Sequence, residues 1–143
     1  LDRQVPVTWV DYNGHMNEAH YLTAFSNACD QMLEWSGMDA GSGHSVFTVE
    51  THIRHLGEVN IGDRIRVTTR VLDGGGKRLH IWHELFVGED LCATGEQMLL
   101  HVDLSTRKTA LPLPEVGDWF TRAAEAHAGL PMPEGLGRAV GQR

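Results

Sequence analysis

Only two cysteines, Cys29 and Cys92, occur in 143 residues, and no Cys-x-x-Cys spacing is present. A disulfide framework and a zinc knuckle are therefore not expected, and with no Asn-x-Ser/Thr acceptor the chain reads as one suited to a reducing, cytoplasmic setting. No run approaches the ~18–20 consecutive apolar residues of a membrane-spanning helix, and no charged-then-apolar signal segment opens the chain, so a soluble protein is expected. Lys and Arg are scarce, 12 against 19 Asp and Glu, for a net charge of −7. That balance argues against bulk nucleic-acid binding, because a phosphate lattice demands an excess of cations. There is no G-x-S-x-G, and the glycine run at 74–76 lacks the Lys-Ser or Lys-Thr of a phosphate loop, so a serine-hydrolase elbow and a nucleotide cradle are both set aside. The first residue is Leu1, not Met, which fits a chain trimmed, processed or cut from a longer polypeptide.

With 41% hydrophobic residues, the chain can bury one core, and a single domain over 1–128 with a Gly/Pro-rich flexible tail over 129–143 is expected. Residues 4–10 are rich in β-formers, but Pro6 cannot donate to a ladder, so they predict an edge strand. From Asn17 to Ser36 the apolar residues Leu22, Phe25, Cys29, Met32 and Leu33 recur at three- and four-residue spacing, which predicts one helix of about five turns. Asn17 suits its N-cap, Glu18 the positive dipole end, and Gly37 the position just past its C-terminus. The period then changes to two: Phe47, Val49, Thr51 and Ile53 alternate with polar residues, as do Ile65, Val67, Thr69 and Val71. Turns at Asp73–Gly76 and Gly88–Asp90 mark an antiparallel meander, and a weak helix over 116–127 carries Trp119, Phe120 and Ala123 on one stripe. One amphipathic helix followed by four long strands implies an α+β fold.

Nine histidines suggest metal binding, but His52/His55 and His80/His83 are three apart on strands and point to opposite faces, so no metal site is expected. Cys29 lies on the buried helix stripe and does not suit a nucleophile. Asp11 admits two readings. Asp and Asn in a turn usually bond their own backbone. Alternatively, Gly14 permits close approach of a ligand, and the helix start beyond it offers free N–H groups to a developing oxyanion, so that a carboxylate three residues earlier faces the same carbon. The cations are also uneven: residues 1–50 hold only Arg3, whereas 54–78 hold six of the twelve. That cluster reads either as a solvated strand face or as a local site for an anionic ligand.

The pattern D-x-x-G-H-x-N-x-x-x-Y-L, standing as Asp11, Gly14, His15, Asn17, Tyr21 and Leu22, resembles the signature of hotdog-fold acyl-CoA thioesterases of the 4-hydroxybenzoyl-CoA thioesterase type. "HLGEVNIGDRIRV" is similar to that family's second-to-third strand junction, and the likeness extends over roughly residues 5–110. "VDYNGHM", "TVETHIRHLGE" and "EQMLLHVD" resemble more closely the thioesterase domains fused to, or encoded beside, carnitine dehydrogenases. The resemblance implies an antiparallel sheet wrapped around the long helix, hydrolysis of an acyl-CoA to a carboxylic acid and free CoA, and betainyl-CoA of carnitine catabolism as substrate. It implies Asp11 as the catalytic carboxylate, with Gly14, His15, Asn17 and Glu18 forming the turn and helix start that polarise the carbonyl. The family's commoner Asn-Asn pair reads Asn17-Glu18 here, and because the role at 18 belongs to a backbone amide, the change is expected to do little.

For a trimethylammonium acyl group, aromatic faces and a carboxylate are the expected recognition elements, and Trp9, Tyr21, Phe47, Trp82 and Glu50 are candidates; each aromatic reads equally well as core. Arg54, Arg64, Arg66, Lys77 and Arg78 become candidates for the phosphates of CoA, which is part of the substrate, so no separate cofactor is expected. No nucleic-acid or membrane partner is expected, and the family likeness implies a homodimer or homotetramer with sites between protomers. The competing reading is a non-catalytic hotdog module that binds a ligand or dimerises a larger dehydrogenase, for which Asp11 would have no use.

Overall fold

Asn17 starts the long helix: its Oδ1 accepts from the Ala19 amide at 3.0 Å, and α1 runs Glu18–Trp35. The helix stops at Gly37, whose φ of +83° costs glycine little; there the Met38 amide donates to the Leu33 carbonyl (3.2 Å) and the Gly37 amide to that of Glu34 (3.0 Å), a Schellman end. The computed structural model describes residues 1–142. Besides α1 it contains β1 (Asp2–Gln4), β2 (His44–His55), β3 (Arg64–Asp73), β4 (Arg78–Val87), β5 (Asp90–Asp103), β6 (Lys108–Thr109) and α2 (Pro114–His127). The strands form one sheet in the order β1-β3-β4-β5-β2, with β6 antiparallel on β5. This is the expected α+β class.

The edge strand is shorter and earlier than its β-rich residues suggest. Only Asp2–Gln4 pairs, antiparallel with β3, and Val7–Trp9 form a 3-10 turn. Pro6 explains the difference: it has no N–H for the ladder, and the Trp9 amide closes back on the Pro6 carbonyl at 3.0 Å.

Contacts divide the chain into two units. In the first (Leu1–Gln31, Ile53–Thr69, His83–Gly95), Tyr21, Ala24, Phe25 and Ala28 of α1 pack with Ile65, Val67, Leu85 and Ala93. The buried stripe is thus rotated from the expected one, and Leu22 is 42% exposed. Small residues cause this: Ala24 and Ala28 admit close approach, and a Cβ on Gly95 would stand only 2.7 Å from the Phe25 ring. Phe25 also stacks on His83 (5.1 Å, 7°), whose Nδ1 bonds Thr69 Oγ1 at 2.9 Å. Burial of Phe25 alone is worth roughly 1.5–3 kcal/mol.

The second unit comprises Met32–His52, Arg70–Trp82 and the chain from Glu96 onward. Pro114 supplies the first helical position of α2, and Val116 and Phe120, one turn apart, are its buried side chains. Past α2, the Arg70 guanidinium donates to the carbonyls of His127, Leu130 and Pro131, satisfying groups a helix end leaves open. The Val71 amide donates to His127 Nδ1 (3.1 Å), and the Gly137 amide donates to Glu96 Oε2 (2.7 Å).

His101, 1% exposed, lies against Phe120 with neither ring nitrogen partnered among the described residues. Burial, and secondarily His44, holds its pKa below the ordinary value. The unfolded chain therefore takes a proton that the folded chain resists, so stability is present above the ordinary imidazole pKa of about 6.5 and falls as pH drops below it. Urea melts between pH 7.5 and 5.5 should show wild type losing up to ~1.4 kcal/mol per pH unit more than His101→Leu; parallel profiles would refute this role.

Candidate active site

Residues 10–16 fold back on themselves. Val10 bridges Met16, the Asp11 amide donates to the His15 carbonyl (3.0 Å) and the Gly14 amide to that of Asp11 (3.1 Å). Gly14 has φ +82° with nothing within 4 Å of an added Cβ, so glycine is favoured there by backbone conformation and not by crowding. Asp11 Oδ1 accepts from the Asn13 amide at 2.8 Å, the Asx turn expected of such a sequence. Its second oxygen has no partner among the described residues, and the side chain is half-exposed. One oxygen anchors the turn while the other remains available.

A second segment clamps this turn. The Met16 amide donates to the Val59 carbonyl (2.7 Å), the Ile61 amide to that of Gly14 (3.4 Å), and His15 bridges Asn60. His15 Nε2 lies 3.4 Å from Glu58 Oε2, an exposed pair worth at most ~1 kcal/mol. The turn leads directly into α1, where the Asn17 amide is spent on the Trp9 carbonyl (2.9 Å), the Ala19 amide on the cap, and the His20 amide on the Asn17 carbonyl (2.9 Å). The Glu18 amide has no acceptor among the described residues. The Glu18 amide is thus the one at this helix start that is left able to receive an oxyanion, at the positive end of the dipole.

The first unit therefore brings together Asp11, Gly14, His15, Asn17 and Glu18. Trp9 and Tyr21 lie beside them but are occupied: the Trp9 ring stacks on His20 (5.1 Å, 3°) with Arg3 4.5 Å from its centroid, and Tyr21 is buried, edge-on to His55, its hydroxyl 3.5 Å from the Gly57 carbonyl. Burial is also the main cause of the raised Tyr21 pKa. Arg64 and Arg66 extend from one side of β3; Arg64 pairs with Asp2 (2.7 Å) and Arg66 covers Phe86, while Arg54 is half-buried. Phe47, Glu50, Lys77, Arg78 and Trp82 belong to the second unit. There Trp82 is buried, Arg78 faces Asp73 (3.4 Å), Lys77 donates to the Thr109 carbonyl, and Phe47 and Glu50 are exposed.

Burial and Asp30 push the Cys29 thiol up to about 12, and burial also raises Cys92. Among the described residues no group of three or more His, Cys, Asp or Glu is placed to hold a metal ion. His80 pairs with Glu96 (2.9 Å) whereas His83 is buried on Phe25, so that pair divides as strand geometry requires. Sequence reasoning did not single out Glu58, although it lies within the HLGEVN stretch, nor Glu96 and Arg138, whose signals are confined to isolated charges.

Residues 5–120 match the Thioesterase-like superfamily. The L-carnitine dehydrogenase/betainyl-CoA thioesterase of Ruegeria pomeroyi is 53% identical over 98% of the chain, but the chain spans only 29% of that protein's length. The betainyl-CoA thioesterase of Pseudomonas aeruginosa is 46% identical over 93% of the chain and 87% of its own. A hypothetical protein from Staphylococcus aureus, solved in complex with CoA, superposes with a TM-score of 0.93 over 100% of this chain and 94% of that one at 24% identity, a likeness of fold.

Replacing the cap, Asn17→Ala, should cost ~0.5–2 kcal/mol in urea denaturation, and Asn17→Asp much less; equal stability of all three proteins would show that the cap does not hold the helix start.

Proposed function

Because the chain belongs to the Thioesterase-like superfamily, we propose that it hydrolyses an acyl-CoA to a carboxylic acid and free CoA, with betainyl-CoA as substrate and glycine betaine as product in carnitine catabolism. One observation carries this reading: Asp11 keeps a free carboxylate oxygen in the turn that feeds a helix whose Glu18 amide is unspent. The thioester carbonyl rests on the helix start. Asp11 either deprotonates a water, whose oxygen adds to the carbonyl so that the C–S bond breaks and the proton passes from Asp11 to the departing CoA thiolate, or attacks with its own oxygen, expelling the thiolate to leave a mixed anhydride that a water then cleaves, releasing the acid, restoring the Asp11 carboxylate and supplying the thiolate's proton. His15 and Gly14 shape the turn; Asn17 holds the helix end.

The phosphates of CoA are assigned to Arg54, Arg64 and Arg66, which belong to the same unit as Asp11. The Arg64–Asp2 pair is exposed, and such a pair is weak enough to exchange for a phosphate. Trp9 and Tyr21 shape the site from behind as packed side chains. A reducing, cytoplasmic setting accords with two buried free cysteines.

We assign the oligomer to pairing of β2 with β2 of a second copy. This twelve-residue strand ends the sheet order and exposes Phe47 (40%) and Val49 (56%), an edge that natural proteins seldom leave open. Sedimentation should give a dimer or a dimer of dimers, and Val49→Lys should shift it toward monomer; a monomeric wild type would refute the assignment.

The direct test is thiol release over a panel of acyl-CoAs that includes betainyl-CoA. Asp11→Asn should fold normally and lose about 10²–10⁴-fold in kcat. Near-normal turnover would remove Asp11 from the mechanism, and no release from any ester by wild type would favour a binding or dimerisation module.

A further inference from the structure

The second unit holds a cavity of about 190 Å³ whose walls come from β2, β4, β5 and the C-terminal segment. Glu50, His52, His80, Glu96, Met98 and Arg138 line it, and the Gly137 backbone closes one side. Glu96 is already satisfied, one oxygen by His80 (2.9 Å) and the other by the Gly137 amide (2.7 Å), so it anchors the chain end and adds negative potential. Glu50 and Arg138 differ from it. Each is charged, each lines the cavity, and neither has an ion pair or side-chain hydrogen bond among the described residues, including with the other. Opposite charges facing one small cavity without meeting are complementary to a ligand that carries both signs a few bonds apart.

We infer that this cavity binds a small zwitterion, its quaternary nitrogen toward Glu50 and its carboxylate toward Arg138. A guanidinium presents forked N–H donors that match a carboxylate. A quaternary nitrogen donates no hydrogen bond, so it is held by charge and soft contact, which Glu50, the Glu96 potential and the Met98 thioether provide. The acid released in the proposed reaction, glycine betaine, has this form; its identification as the ligand rests on that reading, whereas the charge pattern does not. It also gives Glu50, expected from the sequence to recognise a trimethylammonium group, a partner at the other end of the molecule. All the lining residues belong to the second unit, and Asp11 is not among them.

Calorimetric titration of the full chain with glycine betaine tests this, with tetramethylammonium, acetate and glycine as separate probes. Saturable binding of glycine betaine is expected, with each half-molecule and glycine weaker by about tenfold or more. Glu50→Gln, isosteric at an exposed position, and Arg138→Gln, which shortens the side chain and removes its charge at a partly exposed one, should keep the wild-type melting temperature and each weaken binding about tenfold or more. Asp11→Asn should bind as wild type does. No binding of glycine betaine, equal or tighter binding of glycine, or affinity indifferent to both substitutions would overturn the assignment. The outcomes separate from those of the hydrolysis assay: thiol release without zwitterion binding removes this site alone, and zwitterion binding without release from any ester removes the proposed reaction alone.

Discussion

A single hydrogen bond, from the Asn13 amide to Asp11 Oδ1 at 2.8 Å, sets the rest of the site. It commits one carboxylate oxygen to the backbone and thereby fixes where the other points. The turn it closes has Gly14 at a left-handed φ and leads into α1, which begins at Glu18 behind its Asn17 cap. The reading of Asp11 as a turn former and the proposed chemical role are consequently compatible. A turn that used both oxygens would leave no reactive group, and one that used neither would leave the carboxylate unplaced.

The helix start depends in turn on close packing behind it. Phe25 reaches His83 because Gly95 carries no side chain, and Ala24 and Ala28 lower α1 onto the strands. The same approach positions the first turn of α1, where the Asn17 side chain and carbonyl consume the neighbouring donors and leave the Glu18 amide. Core packing and the proposed oxyanion contact thus share one helix. In the proposed mechanism Glu18 in place of the family's commoner Asn does little, because the group assigned there is main chain and its neighbours are held by Asn17.

Much of this was legible in the residues. The 3.6-residue period over 17–36, its Asn17 and Gly37 ends and the period-two strands emerge in the structure within a few residues of their expected limits. Local chemistry determines such features: a cap, a left-handed glycine and alternation each act over a few positions. The misplacements have non-local causes. Leu22 was expected inside because periodicity gives a stripe's spacing, but its rotation about the axis depends on Gly95, seventy residues away. Val7–Trp9 left the strand because one proline outweighed five β-formers. Glu58 could not be tied to His15, nor Arg138 to Glu50, since lone charges far apart in sequence carry no record of the fold that gathers them.

The claim on which everything else rests is that an acyl carbonyl lies between the Asp11 carboxylate and the start of α1. A crystal structure of the protein with a non-hydrolysable ketone analogue of betainyl-CoA measures this directly. The account predicts the ketone oxygen at ~2.7–3.2 Å from the Glu18 amide nitrogen, with the carbonyl carbon facing the free Asp11 oxygen. A ketone oxygen bound away from the Glu18 amide, with Asp11 turned from the carbonyl, would contradict it.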